Sequence, residues 1–65
     1  MKLRLEDVIG KRVRIVDTCN RDDVCFEGIV SRYSDEFFVI TNGEKYHYYS
    51  EYDLWEYDMI IEVVS

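Results

Sequence analysis

The chain changes its hydrophobic period near residue 10. In residues 3–9, Leu5, Val8 and Ile9 are apolar at helical spacing, and Gly10 follows as a residue that commonly ends a helix. From residue 11 onward, apolar and polar residues alternate with the period of a β-strand. The pattern predicts one or two helical turns followed by an all-β region.

Five runs of β-forming residues predict five strands. They cover residues 12–15, 24–33, 37–41, 44–50 and 59–64. The segments between them, residues 17–23, 34–36 and 51–57, are predicted to be turns or mixed loops, with Asn20 as a candidate for a positive φ.

Three local features of the sequence add detail to the predicted strands. Gly28 lies among β-forming residues, on the same predicted face as Phe26, and indicates a sharp bend or a close backbone approach. The Asn42-Gly43 pair between two strands predicts a hairpin with a type I′ turn. Residues 37–41 are apolar on both faces, so we expect both faces to be covered, one by the core and one by another surface.

The length of 65 residues indicates one domain, spanning residues 1–65. Five short strands with tight turns favour a small closed barrel, because closure removes the unpaired edges of a sheet of this size. The predicted fold is an all-β, five-stranded antiparallel SH3-like barrel with a short N-terminal helix.

The composition argues against a disordered chain and against a membrane protein. Apolar residues make up 48% of the chain, which is too many for a disordered segment despite 34% charge. No apolar run approaches the roughly 18 residues of a membrane helix, and no signal peptide is visible. We therefore expect a cytoplasmic protein without a membrane partner, in which Cys19 and Cys25 are free thiols.

The net charge of −6 is unevenly distributed. Residues 1–16 hold five bases and two acids, whereas residues 17–65 hold three bases and twelve acids. Most of such a surface repels a phosphate backbone. The basic segment, with Arg12 and Arg14 as candidate phosphate contacts, could still meet a nucleic acid or the acidic part of a second copy.

No catalytic, cofactor-binding or metal-binding set is predicted, and we expect the protein not to be an enzyme. His47 is the only histidine and has no nucleophile or carboxylate at a spacing that argues for catalysis. The acidic groups at residues 22–23, 35–36 and 51–53 do not match a calcium loop and are predicted to be solvated turns. The three glycines are isolated, so no phosphate-binding loop is present.

The order of segments resembles the Sm-like family of small barrels, in particular the small bacterial and mobile-element members of uncertain function. The resemblance rests on the N-terminal helix and on four segments, Gly10-Lys11-Arg12-Val13-Arg14-Ile15, Phe26-Glu27-Gly28-Ile29-Val30, residues 33–40 and residues 58–63. It implies a ring in which the fourth strand of one subunit pairs with the fifth strand of the next. It also implies single-stranded RNA bound by two loops on the ring face.

The RNA-binding motifs of that family are altered in this chain. Phe38 stands where the family's first motif has the asparagine that contacts a base. The family's second motif has an Arg-Gly pair before the last strand, but this chain has Trp55-Glu56-Tyr57-Asp58 there, with no arginine and no glycine. These departures and the net charge disfavour RNA as a partner.

Six aromatic residues lie between positions 46 and 57, and five of them form the candidate interface: Tyr46, Tyr48, Tyr52, Trp55 and Tyr57. Tyrosine and tryptophan are enriched at protein interfaces, and they also stack on bases. The leading hypothesis is a non-catalytic interaction or oligomerisation module whose partner is itself or another protein. The alternatives are an acidic inhibitor or nucleic-acid mimic that binds a basic protein, and a divergent RNA-binding protein that uses Arg12, Arg14 and exposed tyrosines.

Overall fold

A computed structural model describes residues 3–19 and 24–64 of the protein. Its elements are a 3-10 helix (Leu5–Val8), strands β1 (Arg12–Asp17), β2 (Val24–Arg32), β3 (Phe37–Thr41) and β4 (Tyr46–Ser50), helix α1 (Glu51–Glu56) and strand β5 (Met59–Val63). The five predicted strands and the N-terminal helical turn are confirmed. Asn20 lies outside the described residues. None of the helices in the described ranges is long and apolar enough to cross a membrane.

The five strands form one antiparallel sheet in the order β4-β3-β2-β1-β5. The prediction of an all-β antiparallel fold is therefore confirmed. The expected closure is not present, because β4 and β5 are the two edges of the sheet and do not pair with each other within the described residues. The connection between these edges is helix α1, which contacts both strands.

The sheet curls strongly around β2, and Gly28 permits the curl. A Cβ atom at Gly28 would lie 2.6 Å from the carbonyl carbon of Thr41, at the end of β3. The curl brings Phe26 of β2 onto His47 of β4, with ring centroids 4.0 Å apart, although β3 separates these strands in the sheet. The predicted close backbone approach at Gly28 is confirmed.

The core lies on the concave face of this curled sheet. Its buried residues are Leu5, Val8, Val13, Ile15, Val30, Phe38, Ile40, Leu54 and Ile61. The alternation in β2 and β3 places Val30, Phe38 and Ile40 inward, as their spacing predicts. Val16 follows Ile15 in β1 and is also buried, although it is not part of this cluster. Between these two residues the register with β2 skips one residue of β2, Cys25.

The 3-10 helix is fixed to the sheet and to α1 by specific hydrogen bonds. The N–H of Gly10, which has a φ of +85°, donates to the carbonyl of Val30 at 2.8 Å. The carboxylate of Glu51 accepts from the backbone N–H groups of Leu5 (3.0 Å) and Glu6 (3.3 Å). The 3-10 helix therefore packs against the first residue of α1, Glu51.

The hairpin between β3 and β4 is confirmed, but its predicted type I′ turn is wrong. Thr41 pairs with Tyr46, which leaves a four-residue loop, and within it only Gly43 has a positive φ. A type I′ turn needs a positive φ at both central residues. The side chain of Asn42 instead accepts hydrogen bonds from the N–H groups of Glu44 and Lys45, both at 2.9 Å. Strand β4 consequently begins two residues later than predicted.

Residues 51–56 form a helix where the sequence pattern predicts a mixed loop or turn. Ser50 and Asp53 make a capping box: the Ser50 hydroxyl accepts from the Asp53 N–H at 3.1 Å, and the Asp53 carboxylate accepts from the Ser50 N–H at 2.9 Å. Leu54 is buried in the core on the inner side of this short helix.

Candidate interaction surfaces

An uncharged face forms on the outer side of β2, β3 and β4. It follows from the strand register, which places Ile29 beside Thr41, Ser31 beside Val39, and Val39 beside Tyr48. We call the outward residues of these strands, counted in β2 from Ile29 onward, together with Tyr33 directly after β2, the outer face; its members are Ile29, Ser31, Tyr33, Phe37, Val39, Thr41, Tyr46 and Tyr48. None of the eight is charged, in a chain in which 34% of residues are charged. Glu27 precedes Ile29 on the same side of β2 and binds Arg12 and Arg14, so a charged cluster borders the outer face at Ile29.

Tyrosines dominate the outer face. The rings of Tyr33 and Tyr48 meet edge to face with centroids 4.8 Å apart, and Tyr46 lies two residues along β4 on the same side. All three side chains are exposed. The sequence analysis identified Tyr46 and Tyr48 as interface candidates but did not include Tyr33. The signal was available, because Tyr33 follows Ile29 and Ser31 at the two-residue spacing of a strand.

The other three candidate aromatic residues form a separate surface at α1. Tyr52 and Trp55 lie one helical turn apart, with ring centroids 5.6 Å apart, and Tyr57 follows at the end of the helix. All three are exposed. The five predicted interface residues are therefore divided between the outer face and the helix.

Tyr49 and His47 lie on the inner side of β4. Tyr49 packs against the core, and its partial burial raises the pKa of its hydroxyl above the ordinary value of 10.0. The His47 ring is stacked on Phe26 with an interplanar angle of 12°. His47 therefore packs on Phe26, which itself packs against the core.

Arg12 and Arg14 are held by one carboxylate. The Nε of Arg12 donates to Glu27 Oε2 at 3.1 Å, and the Nε of Arg14 donates to Glu27 Oε1 at 3.2 Å. The hydrogen bonds from Arg14 and then Arg12 lower the pKa of Glu27 below its ordinary value of 4.5. The two candidate phosphate contacts therefore already have an acidic partner from the neighbouring strand.

A groove runs beside β5, which is an edge strand of the described sheet. Its volume is about 490 Å³, and it lies between the N-terminal segment, α1 and β5. The apolar part of its wall comes from Leu3, Leu54, Trp55, Met59, Ile60 and Ile61. Nothing in the sequence pattern predicts this groove, because it depends on how α1 and residue 3 pack around the strand.

The residue at the position of the base-contacting asparagine in the first Sm-like motif points into the core. Phe38 is buried, and the guanidinium of Arg32 lies 4.8 Å from the centroid of its ring. The Ser34 hydroxyl accepts from the Phe37 N–H at 3.1 Å and so closes the β2–β3 turn. These residues shape the turn and the core instead of forming a base pocket.

Cys19 and Cys25 are free cysteines in the structure, and both are exposed. The described residues include no group of three or more histidine, cysteine or acidic side chains arranged to hold a metal ion. The acidic pair at residues 22–23 lies outside them.

Comparisons with protein-family models, with curated proteins and with solved structures give no significant match to this chain.

Proposed function

We propose that the protein is a non-catalytic interaction module that associates with itself through the two edges of its sheet. In this arrangement β4 of one copy pairs with β5 of the next, as the resemblance to Sm-like barrels implies. The observation that carries the proposal is the strand order, which leaves β4 and β5 as unpaired edges within the described chain.

Free edges are a strong reason to expect strand pairing. An exposed edge presents backbone N–H and C=O groups that pair readily with another strand, and proteins usually protect such edges with proline, lysine or bulges. Strand β4 (Tyr46–Ser50) contains neither proline nor a charged residue, and β5 (Met59–Val63) contains no proline and one charged residue, Glu62.

The groove beside β5 supplies side-chain contacts for an incoming strand. A strand paired with β5 would lie along Met59, Ile60 and Ile61, which line the groove together with Trp55. Alternate residues of the incoming strand would enter this apolar space, as in other cases of strand addition. The aromatic strand β4 provides side chains large enough to fill it.

Edge-to-edge pairing of this kind is heterologous, because two different surfaces meet. Such contacts form a closed ring when the rotation between copies allows it, and an open filament when it does not. Attraction between opposite charges contributes less than the sequence suggests, because Arg4, Arg12, Arg14 and Arg32 already pair with glutamates of the same chain. Backbone pairing and apolar contacts are the main source of stability in this proposal.

Light scattering after size-exclusion chromatography tests the proposal with two matched variants. Ile60→Lys places a charge in the groove at the β5 edge, whereas Ile9→Lys makes the same chemical change at an exposed site outside the sheet. We expect wild type and Ile9→Lys to have the same mass, a multiple of 7.9 kDa. Ile60→Lys should lose strand pairing while keeping the circular dichroism spectrum of the wild type.

A wild-type protein that remains a 7.9 kDa monomer at high concentration, in both low and moderate salt, would contradict the proposal. Equal masses for Ile60→Lys and wild type in a protein larger than a monomer would place the contact elsewhere than β5.

A further inference from the structure

We infer that the outer face of β2, β3 and β4 is a second, two-fold interface, which packs against the same face of another copy. This contact is separate from the edges of the sheet and does not depend on strand pairing. It rests on the composition of the outer face, on its exposed area and on the charge of the rest of the molecule.

The composition of the outer face is that of an interface core. Interface cores are depleted in charged residues and enriched in tyrosine and other aromatics. The outer face has no charged residue and has three tyrosines, one phenylalanine and two aliphatic residues. In β3, Phe37 and Val39 alternate with the buried Phe38 and Ile40, so the strand is apolar on both sides while only one side meets the core. The expected covering of the second side is supplied by a partner.

The exposed area fits a small dimer. Tyr33, Tyr46 and Tyr48 are 65%, 61% and 52% exposed. Because a large aromatic side chain can bury about 150–250 Å², these three with Ile29 and Phe37 offer about 500 Å². Two such faces would bury about 1,000 Å², which is the lower limit for a specific interface.

An identical face adds no charge to the contact. Each copy has a net charge of −6, so copies repel one another, and a contact through the uncharged outer faces adds the least local repulsion. Two outer faces can meet with the Glu27, Arg12 and Arg14 cluster at the border of the contact, and sheets pack face to face with their strands about 30° apart. The edge-to-face geometry of Tyr33 and Tyr48 can be repeated across a two-fold axis.

The test uses the Ile60→Lys variant, in which the β5 edge is blocked, so that only face-to-face contact remains. Sedimentation equilibrium should give twice the monomer mass at the highest concentrations, with association strengthening between about 0.02 M and about 0.5 M NaCl because salt screens the repulsion. Adding Tyr46→Thr and Tyr48→Thr, which keep β-forming side chains, should weaken association at least about tenfold. Adding Tyr57→Ser, which removes an equally exposed tyrosine outside the face, should leave it unchanged.

Each result separates this inference from the proposed edge pairing. An Ile60→Lys protein that stays monomeric at about 1 mM in high salt overturns the face contact and leaves edge pairing intact. If edge pairing fails instead, the wild type itself should form only the dimer, and the double tyrosine variant should abolish it. A monomer in which NMR signals of Tyr33 and Tyr48 shift on addition of a U-rich oligonucleotide would assign the face to base stacking and overturn the dimer.

Discussion

Replacing Gly28 by alanine tests the curl of the sheet, on which both the core and the outer face depend. The added Cβ would lie 2.6 Å from the Thr41 carbonyl carbon, and it would also lie 3.1 Å from the backbone nitrogen of Asn42. These neighbours are backbone atoms of β3 and its loop, so no flexible side chain can turn away. The strand end must move for the methyl group to fit.

The expected loss of stability is about 2 kcal/mol. Adding a methylene-sized group to a packed site commonly costs about 1–3 kcal/mol, and an obstacle made of backbone belongs at the upper end of that range. Alanine recovers only about 0.5–1 kcal/mol of the conformational entropy that glycine loses on folding. A 65-residue domain has a total stability of about 3–10 kcal/mol, so the loss is a large fraction of it.

Urea denaturation followed by circular dichroism measures this loss, and thermal unfolding should show the midpoint lowered by about 8–16 °C. Ser31→Ala, on the same strand but exposed, is the control and should change stability by less than about 0.5 kcal/mol. A Gly28→Ala protein within about 0.5 kcal/mol of wild type would refute the close approach of β2 and β3 at this point.

Two further predictions concern the helix cap and the arginine pair. Ser50→Ala removes the hydroxyl that accepts from the Asp53 N–H, so we expect a loss of about 0.5–2 kcal/mol in urea denaturation, with Ser31→Ala again unchanged. The pKa of Glu27 is lowered in the folded state, so its contribution to stability is present above pH 4.5 and is lost as pH falls below that value. Thermal melts from pH 6 to pH 3 should therefore show a smaller acid-induced decrease for Glu27→Gln than for wild type; equal decreases would contradict the ion pairs with Arg12 and Arg14.

The sequence predicts the strands well because runs of β-branched and aromatic residues are separated by turn residues, and β1 and β2 also alternate with a period of two. It also predicts the role of Gly28, since a glycine inside a strand commonly marks a bulge, a bend or a close backbone approach. It does not predict α1, because six residues with a single buried apolar residue, Leu54, are too few to show a helical period. The one local signal was the capping pair Ser50 and Asp53, three residues apart.

The candidate site was only partly predictable, because surfaces depend on register and on packing between distant elements. Alternation places Tyr46 and Tyr48 on one side of β4, but only the β3 and β2 pairing brings Tyr33 beside them. Similarly, Arg12 and Arg14 look available in the sequence, and only the register of β1 on β2 shows that Glu27 lies between them.

Hydrogen–deuterium exchange at increasing protein concentration tests the central claim, edge-to-edge association, most directly. Pairing between copies should slow exchange of backbone amides in Tyr46–Ser50 and Met59–Val63 together, because both edges gain hydrogen bonds in the same event. Amides of the inner strand β2 should show little additional change, since they are already paired within the chain. Exchange in β4 and β5 that is independent of concentration, in a sample shown to be associated, would contradict pairing through the edges.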